Sequence, residues 1–212
     1  MRENLTEMVF VLDRSGSMRS LTADTIGGFN ELIEKQKKIE GDAYVTTVLF
    51  DHEYEVLHDH VALKDVAPLT DREYFARGST ALLDAVGRTI NAVGARLAAT
   101  PEEERPAHVV FVITTDGMEN ASREYTAKQV REMVEHQQQK YSWQFVFLGA
   151  NMDAVSEAGK LGISASHAAN FAPSQRGVSM MYRMALDEVM CSARVGSDIG
   201  SDWKSALDTD EK

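Results

Sequence analysis

Oxygen-bearing side chains alternate along one short segment, Asp13-Arg14-Ser15-Gly16-Ser17, in which every second residue carries a carboxylate or a hydroxyl. If this segment forms a curled loop, the side chains of Asp13, Ser15 and Ser17 turn toward one point, and Gly16 lets the backbone curl. Such hard oxygen ligands suit Mg²⁺ or Mn²⁺ and would form a poor zinc site. The segment alone is also typical of an ordinary turn, because Asp, Ser and Gly all favour turns.

Two further segments carry the same kinds of oxygen atoms. Thr114-Thr115-Asp116-Gly117 places a carboxylate after a strongly apolar run, and Gly78-Ser79-Thr80 offers hydroxyls immediately before a helical pattern. Taken singly, Thr80 is typical of a helix N-cap and Asp116-Gly117 of a turn that ends a strand. Their joint occurrence, in order and each at the end of a predicted element, favours a functional site.

Apolar runs and helical patterns alternate along the chain and must position these segments. Runs rich in apolar residues predict strands, at 7–12, 44–50, 54–63, 108–114, 143–148 and 167–172. Apolar spacings of three and four predict helices, most clearly over 82–97 and also near 26–33, 126–134, 152–159 and 181–189. This alternation predicts an α/β fold, a three-layer, doubly wound, Rossmann-like sandwich. The sheet should be mostly parallel, with one antiparallel edge strand at 54–63, since the turn before that strand is very short.

Ligands of such sheets bind outside the carboxyl ends of the strands, near the point where the strand order reverses. If the first strand and the strand at 108–114 are neighbours at that point, two carboxylates and three hydroxyls converge. The sequence therefore predicts a divalent-metal site at the carboxyl edge of the sheet.

This arrangement resembles the metal-ion-dependent adhesion site of von Willebrand factor type A domains. The matching features are Asp-x-Ser-x-Ser after the first strand, a Thr before a central helix, and Thr-Asp-Gly after the fourth strand. The likeness spans residues 5–195 and points to the cytosolic bacterial members of the family. Carried over residue by residue, it implies five metal-site residues, namely Asp13, Ser15, Ser17, Thr80 and Asp116.

The resemblance also implies a function. In that family the cation, here Mg²⁺ or Mn²⁺, takes a carboxylate from a bound protein at its remaining coordination position. We therefore expect a protein-binding module that captures an Asp or Glu of a partner and performs no chemistry. The family further suggests a place in an intracellular assembly, with an ATPase or in a stress response.

Composition bounds the other possibilities. The single cysteine, Cys191, and the charged N-terminus without a signal-peptide pattern indicate a cytoplasmic setting. No stretch approaches the roughly 20 apolar residues needed to span a bilayer. The net charge of −11 disfavours nucleic acid as a partner, since phosphate binding requires clustered Lys and Arg. We expect one domain over residues 1–195 and a loosely ordered, acidic and polar tail over 196–212.

An enzyme is the main alternative class. A metal near two aspartates could support phosphoryl hydrolysis, or Asp13 could act as a phosphorylated nucleophile. The motif segments, however, contain no evident general base and no second-metal cluster. We therefore keep a metal-dependent phosphoryl hydrolase as the alternative to a binding module.

Two weaker alternatives concern other residues. His58 and His60 lie two apart on a predicted strand, hence on one face, but a structural zinc needs about four ligands. Polar decoration of an edge strand explains them better. The metal site could also be a relic, with contacts made by the segment 51–60 or by the loop 118–123. The loop residues that could select a partner are Glu119, Asn120 and Arg123.

Overall fold

A single sheet of six strands forms the centre of the computed structural model, which describes residues 1–208. The strands are β1 (Arg2–Asp13), β2 (Asp42–Phe50), β3 (Tyr54–Ala62), β4 (Pro106–Thr115), β5 (Gln144–Gly149) and β6 (Ala168–Asn170). Their order is β3-β2-β1-β4-β5-β6. Only the pairing of β2 with β3 is antiparallel, which confirms the predicted sheet and its antiparallel edge strand.

Helices cover both faces of this sheet. They are α1 (Thr22–Gln36), α2 (Leu82–Ala99), α3 (Ala127–Tyr141), α4 (Ala154–Lys160), α5 (Gln175–Met180), α6 (Leu186–Arg194) and α7 (Ser205–Asp208), with a π-helical turn, Met181–Ala185, between α5 and α6. Alternate residues of β1 face opposite layers: Phe10 belongs to a buried cluster that includes residues of α1, α5, α6 and α7, whereas Val9 belongs to one that includes residues of α2, α3 and α4. The three-layer α/β architecture is thus confirmed. Within residues 1–208, no helix combines the length and the apolar character needed to cross a bilayer.

The strand order reverses between β1 and β4. From β1 the chain adds β2 and β3 on one side of the sheet, and later it adds β4, β5 and β6 on the other. The parallel register aligns Leu12 with Thr114, so the next residues, Asp13 and Thr115, emerge side by side. This carboxyl edge is where the predicted site should lie.

Strand β3 departs from regular geometry at His60, and this changes where two histidines point. The backbone of His60 is left-handed, with φ of 52°, and the register with β2 shifts within this pairing. His58 stacks on Phe29 of α1, with ring centroids 6.5 Å apart. His60 Nδ1 instead lies 2.6 Å from a carboxylate oxygen of Glu7, a residue that also binds Arg96 of α2. The prediction that the two histidines share one face is therefore wrong, because the irregular backbone turns them to opposite faces.

Beyond α6 the chain returns to the edge of the sheet formed by β6. Trp203 Nε1 donates a hydrogen bond to the Ser166 carbonyl at 2.8 Å, and Lys204 Nζ donates to the Ala168 carbonyl at 3.1 Å. Three apolar side chains of this segment are buried, those of Ile199, Trp203 and Leu207. These contacts hold part of the segment 196–212, and its loose order as a whole stays a prediction. Residues 209–212 of that predicted tail lie outside the described residues.

Replacement of Trp203 tests this seating. Trp203→Ala should lower the free energy of unfolding by about 3 kcal/mol or more, because it removes a fully buried ring and leaves a cavity. Urea denaturation at equilibrium measures the change. Val195→Ala is the control, since Val195 is 72% exposed and should contribute less than about 0.5 kcal/mol. Equal, small effects of both substitutions would show that this segment does not stabilise the domain.

Candidate metal centre

Three hydroxyl groups meet beside Gly117 at the carboxyl edge of the sheet. A β-carbon placed on Gly117 would lie 3.1 Å from Thr80 Oγ1, 3.3 Å from Ser17 Oγ and 3.8 Å from Ser15 Oγ. The two serine hydroxyls are 3.1 Å apart, and Ser17 donates a hydrogen bond to the carboxylate of Asp116. The glycine after Asp116 therefore leaves an open space that the three hydroxyls share, which a larger residue would fill.

Asp13 is fully buried. Its Oδ1 accepts a hydrogen bond from the backbone N–H of Ser15 at 2.6 Å, and its Oδ2 accepts one from the hydroxyl of Thr115 at 2.6 Å. Hydrogen bonds thus run from Asp13 through Ser15 and Ser17 to Asp116, and Thr80 faces the same space. The structure brings all five predicted residues together.

Burial raises the proton affinity of both carboxylates. The pKa of Asp13 rises to about 6, because desolvation outweighs the hydrogen bonds from Thr115 and Ser15 that lower it, and the nearby charge of Asp116 adds to the rise. Burial also raises the pKa of Asp116, against the lowering effect of the hydrogen bond from Ser17. A cation placed between the two carboxylates would offset this cost, since an opposite charge favours their ionised forms.

Thr80 is held by the loop that follows β4, and it does not cap α2. Its backbone N–H donates to Asn120 Oδ1 at 2.9 Å, and its carbonyl accepts the backbone N–H of Asn120 at 3.0 Å. The N-cap position of α2 belongs to the next residue, which makes no side-chain capping bond. The carboxylate of Glu119 instead caps the first turn of α2, because it accepts a hydrogen bond from the backbone N–H of Leu83 at 3.0 Å. The N-cap interpretation of Thr80 is therefore wrong, and its hydroxyl faces the cluster.

The same loop contains the three residues that could select a partner. Glu119 accepts hydrogen bonds from the backbone N–H groups of Ala121 and Ser122 at 2.9 and 2.7 Å, so its carboxylate braces the loop from within. Asn120 positions Thr80. Asn120 and Arg123 are both exposed, so both can contact a partner. Sequence patterns alone did not separate these roles, because each residue is typical of a polar loop.

The chemistry of this donor set fits a hard divalent cation. Two carboxylates and three hydroxyls supply oxygen only, which suits Mg²⁺ or Mn²⁺. Across residues 1–208, no group of three or more His, Cys, Asp and Glu side chains is placed to hold a metal ion. A cation at this edge would therefore need the hydroxyl oxygens as well as Asp13 and Asp116.

Comparison with known families agrees with this fold. Residues 5–169 match the model of the vWA-TerF-like family, the von Willebrand factor type A domain found in the TerF C terminus. The chain belongs to this family. A comparison with curated proteins gives no significant match.

Solved structures of the same fold come from distant proteins. Proximal thread matrix protein 1 from the mussel byssus, in a structure with a zinc-occupied MIDAS motif, is 18% identical with a TM-score of 0.59, over 88% of this chain and 46% of that one. A von Willebrand factor type A protein from Catenulispora acidiphila is 14% identical with a TM-score of 0.60, over 87% and 42%. The vWF domain of the pilus tip protein Mfa5 from Porphyromonas gingivalis is 12% identical with a TM-score of 0.61, over 92% and 97%. These likenesses show the fold alone, and the chain spans less than half the length of the first two.

The raised pKa of Asp13 predicts a pH dependence of stability in metal-free protein. The folded pKa of about 6 lies above the value of 3.8 expected for an unfolded chain, so the folded state binds more protons between these values. The contribution of Asp13 to the free energy of unfolding is therefore fully present below pH 4, and it is lost as the pH rises through 6. The loss amounts to about 3 kcal/mol, at about 1.4 kcal/mol per pH unit.

Asp13→Asn isolates this contribution from those of other carboxylates. In excess chelator, the variant should gain stability relative to the wild type as the pH rises from 4 to 7, because Asn does not ionise. Urea denaturation of both proteins at each pH gives the difference. A difference that is the same at pH 4 and pH 7 would contradict the raised pKa.

Proposed function

We propose that this chain is a divalent-cation-dependent protein-binding module. Five side chains hold Mg²⁺ or Mn²⁺, namely Asp13, Ser15, Ser17, Thr80 and Asp116, and the cation binds an Asp or Glu carboxylate of another protein. The observation that carries the proposal is the meeting of three hydroxyls and the Asp116 carboxylate around one open space at the carboxyl edge of the sheet. Membership of the von Willebrand factor type A class supports it.

Hydrogen-bond donors of the protein partly neutralise the carboxylates of Asp13 and Asp116. Asp13 accepts hydrogen bonds from Ser15 and Thr115, and Asp116 accepts one from Ser17. The remaining ligands are neutral hydroxyls. A divalent cation held among such groups supplies an electron-poor centre that attracts an outside carboxylate.

Exposure differs across the cluster and indicates the direction of approach. Asp13, Ser15 and Thr80 are buried, with 0%, 1% and 3% of their surface exposed, whereas Ser17 is exposed. A partner would therefore reach the cation from the side of Ser17 and Gly117. In this proposal the partner belongs to an intracellular assembly, such as one that contains an ATPase or acts in a stress response. The family resemblance supports this choice of partner.

Calorimetric titration tests the metal site. Chelator-treated wild-type protein should bind Mg²⁺ or Mn²⁺ saturably at one site, and Asp116→Ala should abolish binding because it removes a charged ligand. Zn²⁺ is titrated in parallel, because the mussel structure has zinc at its MIDAS motif.

Glu103→Ala is the matched control for this titration. It removes the same charge from an exposed position before β4, at the opposite edge of the sheet, and should leave metal binding unchanged. Thermal unfolding in chelator shows whether each variant is folded. Wild-type protein that binds none of the three metals, or Asp116→Ala protein that binds as tightly as wild type, would refute the proposed site.

A second test concerns the partner carboxylate. Sodium acetate should tighten Mn²⁺ binding by the wild type, since a ligand that completes the coordination of the cation is linked reciprocally to its affinity. Acetamide, which has a similar shape and no charge, should have no such effect at equal ionic strength. Calorimetry with each additive measures the change. Equal effects of acetate and acetamide would contradict carboxylate capture, and metal-dependent hydrolysis of a phosphate ester that is lost in Asp13→Asn would support the enzyme alternative.

A further inference from the structure

A buried carboxylate outside the predicted metal set joins two of the loops that carry it. Asp51 follows β2, and its side chain is fully buried. Its Oδ2 atom accepts hydrogen bonds from Arg14 Nε at 3.0 Å and from Arg77 Nε at 2.9 Å. Arg14 lies between Asp13 and Ser15, so one oxygen atom of Asp51 links the first metal loop to the loop that precedes Thr80.

Backbone hydrogen bonds repeat the same connection. The N–H of Arg77 donates to the carbonyl of Arg14 at 2.9 Å, and the N–H of Ala81 donates to the carbonyl of Asp51 at 2.8 Å. Ala81 is the residue directly after Thr80. Asp51 therefore contacts the neighbours of Asp13, Ser15 and Thr80 without touching the space where the hydroxyls meet.

The Asp51 side chain remains charged in this position. Burial alone would raise its pKa, but hydrogen bonds from Arg77, from the backbone of Glu53 and from Arg14 hold the pKa below the ordinary value of a carboxyl. Arg14 is itself fully buried, and its Nη1 atom also donates to the carbonyl of Glu73 at 3.0 Å. Removing the carboxylate would leave a buried guanidinium with a weakened counter-charge, which is costly.

Stability alone does not account for such a pair. Apolar side chains of similar volume often stabilise a fold as well as a buried ion pair does, because both charges lose their hydration. Apolar packing, however, does not fix the separation of two loops. A single oxygen atom that accepts hydrogen bonds from two Nε atoms does fix it, so the network of Asp51, Arg14 and Arg77 orients the two loops.

We propose that Asp51 is a positioning residue of the metal site, which holds the loop 13–17 and the loop 77–81 at the separation that cation binding needs. The inference rests on the proposed function. Residues that orient ligands without contacting the metal typically contribute about 10- to 100-fold to metal affinity. We expect Asp51→Asn to weaken Mn²⁺ binding by about that factor.

Glu7 provides a matched control within the same sheet. It is fully buried, and its carboxylate bonds to Arg96 at 2.8 Å and to His60 at 2.6 Å. It precedes Asp13 by six residues, about 20 Å along the strand. Glu7→Gln therefore removes an equally buried, doubly paired charge far from the loops, and it should lower stability without changing Mn²⁺ affinity.

Each variant is measured in two ways: Mn²⁺ affinity by calorimetry, and unfolding by urea in excess chelator. Arg77→Gln is included because Arg77 has 36% of its side chain exposed, so this variant should fold even if Asp51→Asn does not. The expected result is weaker Mn²⁺ binding in the folded Asp51 and Arg77 variants and unchanged affinity in Glu7→Gln.

The outcomes are distinguishable. Wild-type affinity in Asp51→Asn, or in Arg77→Gln if the former does not fold, would overturn the positioning role while leaving the metal site intact. An equal loss of affinity in Glu7→Gln would overturn it as well, because the effect would then follow from general destabilisation. A wild-type protein that binds none of Mg²⁺, Mn²⁺ and Zn²⁺ would refute the proposed function and this inference together.

Discussion

The parallel pairing of β1 with β4 brings together two chain segments that are 102 residues apart, as the hydrogen bond between Thr115 and Asp13 shows. Since strand order reverses here, the helices that follow β1 and β4, α1 and α3, lie on opposite faces of the sheet, and the loops that lead to them diverge. The hydrogen bonds from Thr115 to Asp13 and from Ser17 to Asp116 depend on that alignment. A shift of one residue would turn Asp13 toward the opposite layer, because successive side chains of a strand alternate in direction.

Charge is buried at this edge in two different ways. Asp51 lies between guanidiniums of the same chain, so its neutralisation is internal and permanent. Asp13 and Asp116 instead face hydroxyls and backbone N–H groups, which are neutral and do not balance the negative charge. Burial accordingly raises the pKa of both carboxyls. The first arrangement orders the loops, whereas the second leaves a demand for positive charge that a cation can meet.

Much of this could be predicted from the sequence, because apolar periodicity and chain order determine a doubly wound sheet and the edge where its loops gather. The five oxygen-bearing residues were recognisable by their places after strands and before a helix. The roles of Asp51 and Asn120 were not, since they depend on contacts between segments distant in the chain. The direction of His60 was missed because a left-handed residue inside a strand leaves no periodic signal.

The two ends of the sheet also decide how a partner can approach. β3 carries the left-handed His60 and the exposed carboxylate of Asp59, which make a poor template for another strand. β6 is only three residues long, and Lys204 already occupies one of its carbonyls. Neither the β3 edge nor the β6 edge therefore favours the addition of another strand, which is a common route of both peptide recognition and aggregation. In the proposed function, association with another protein is therefore left to side chains and loops, and it would be governed by the supply of the ion rather than by backbone pairing.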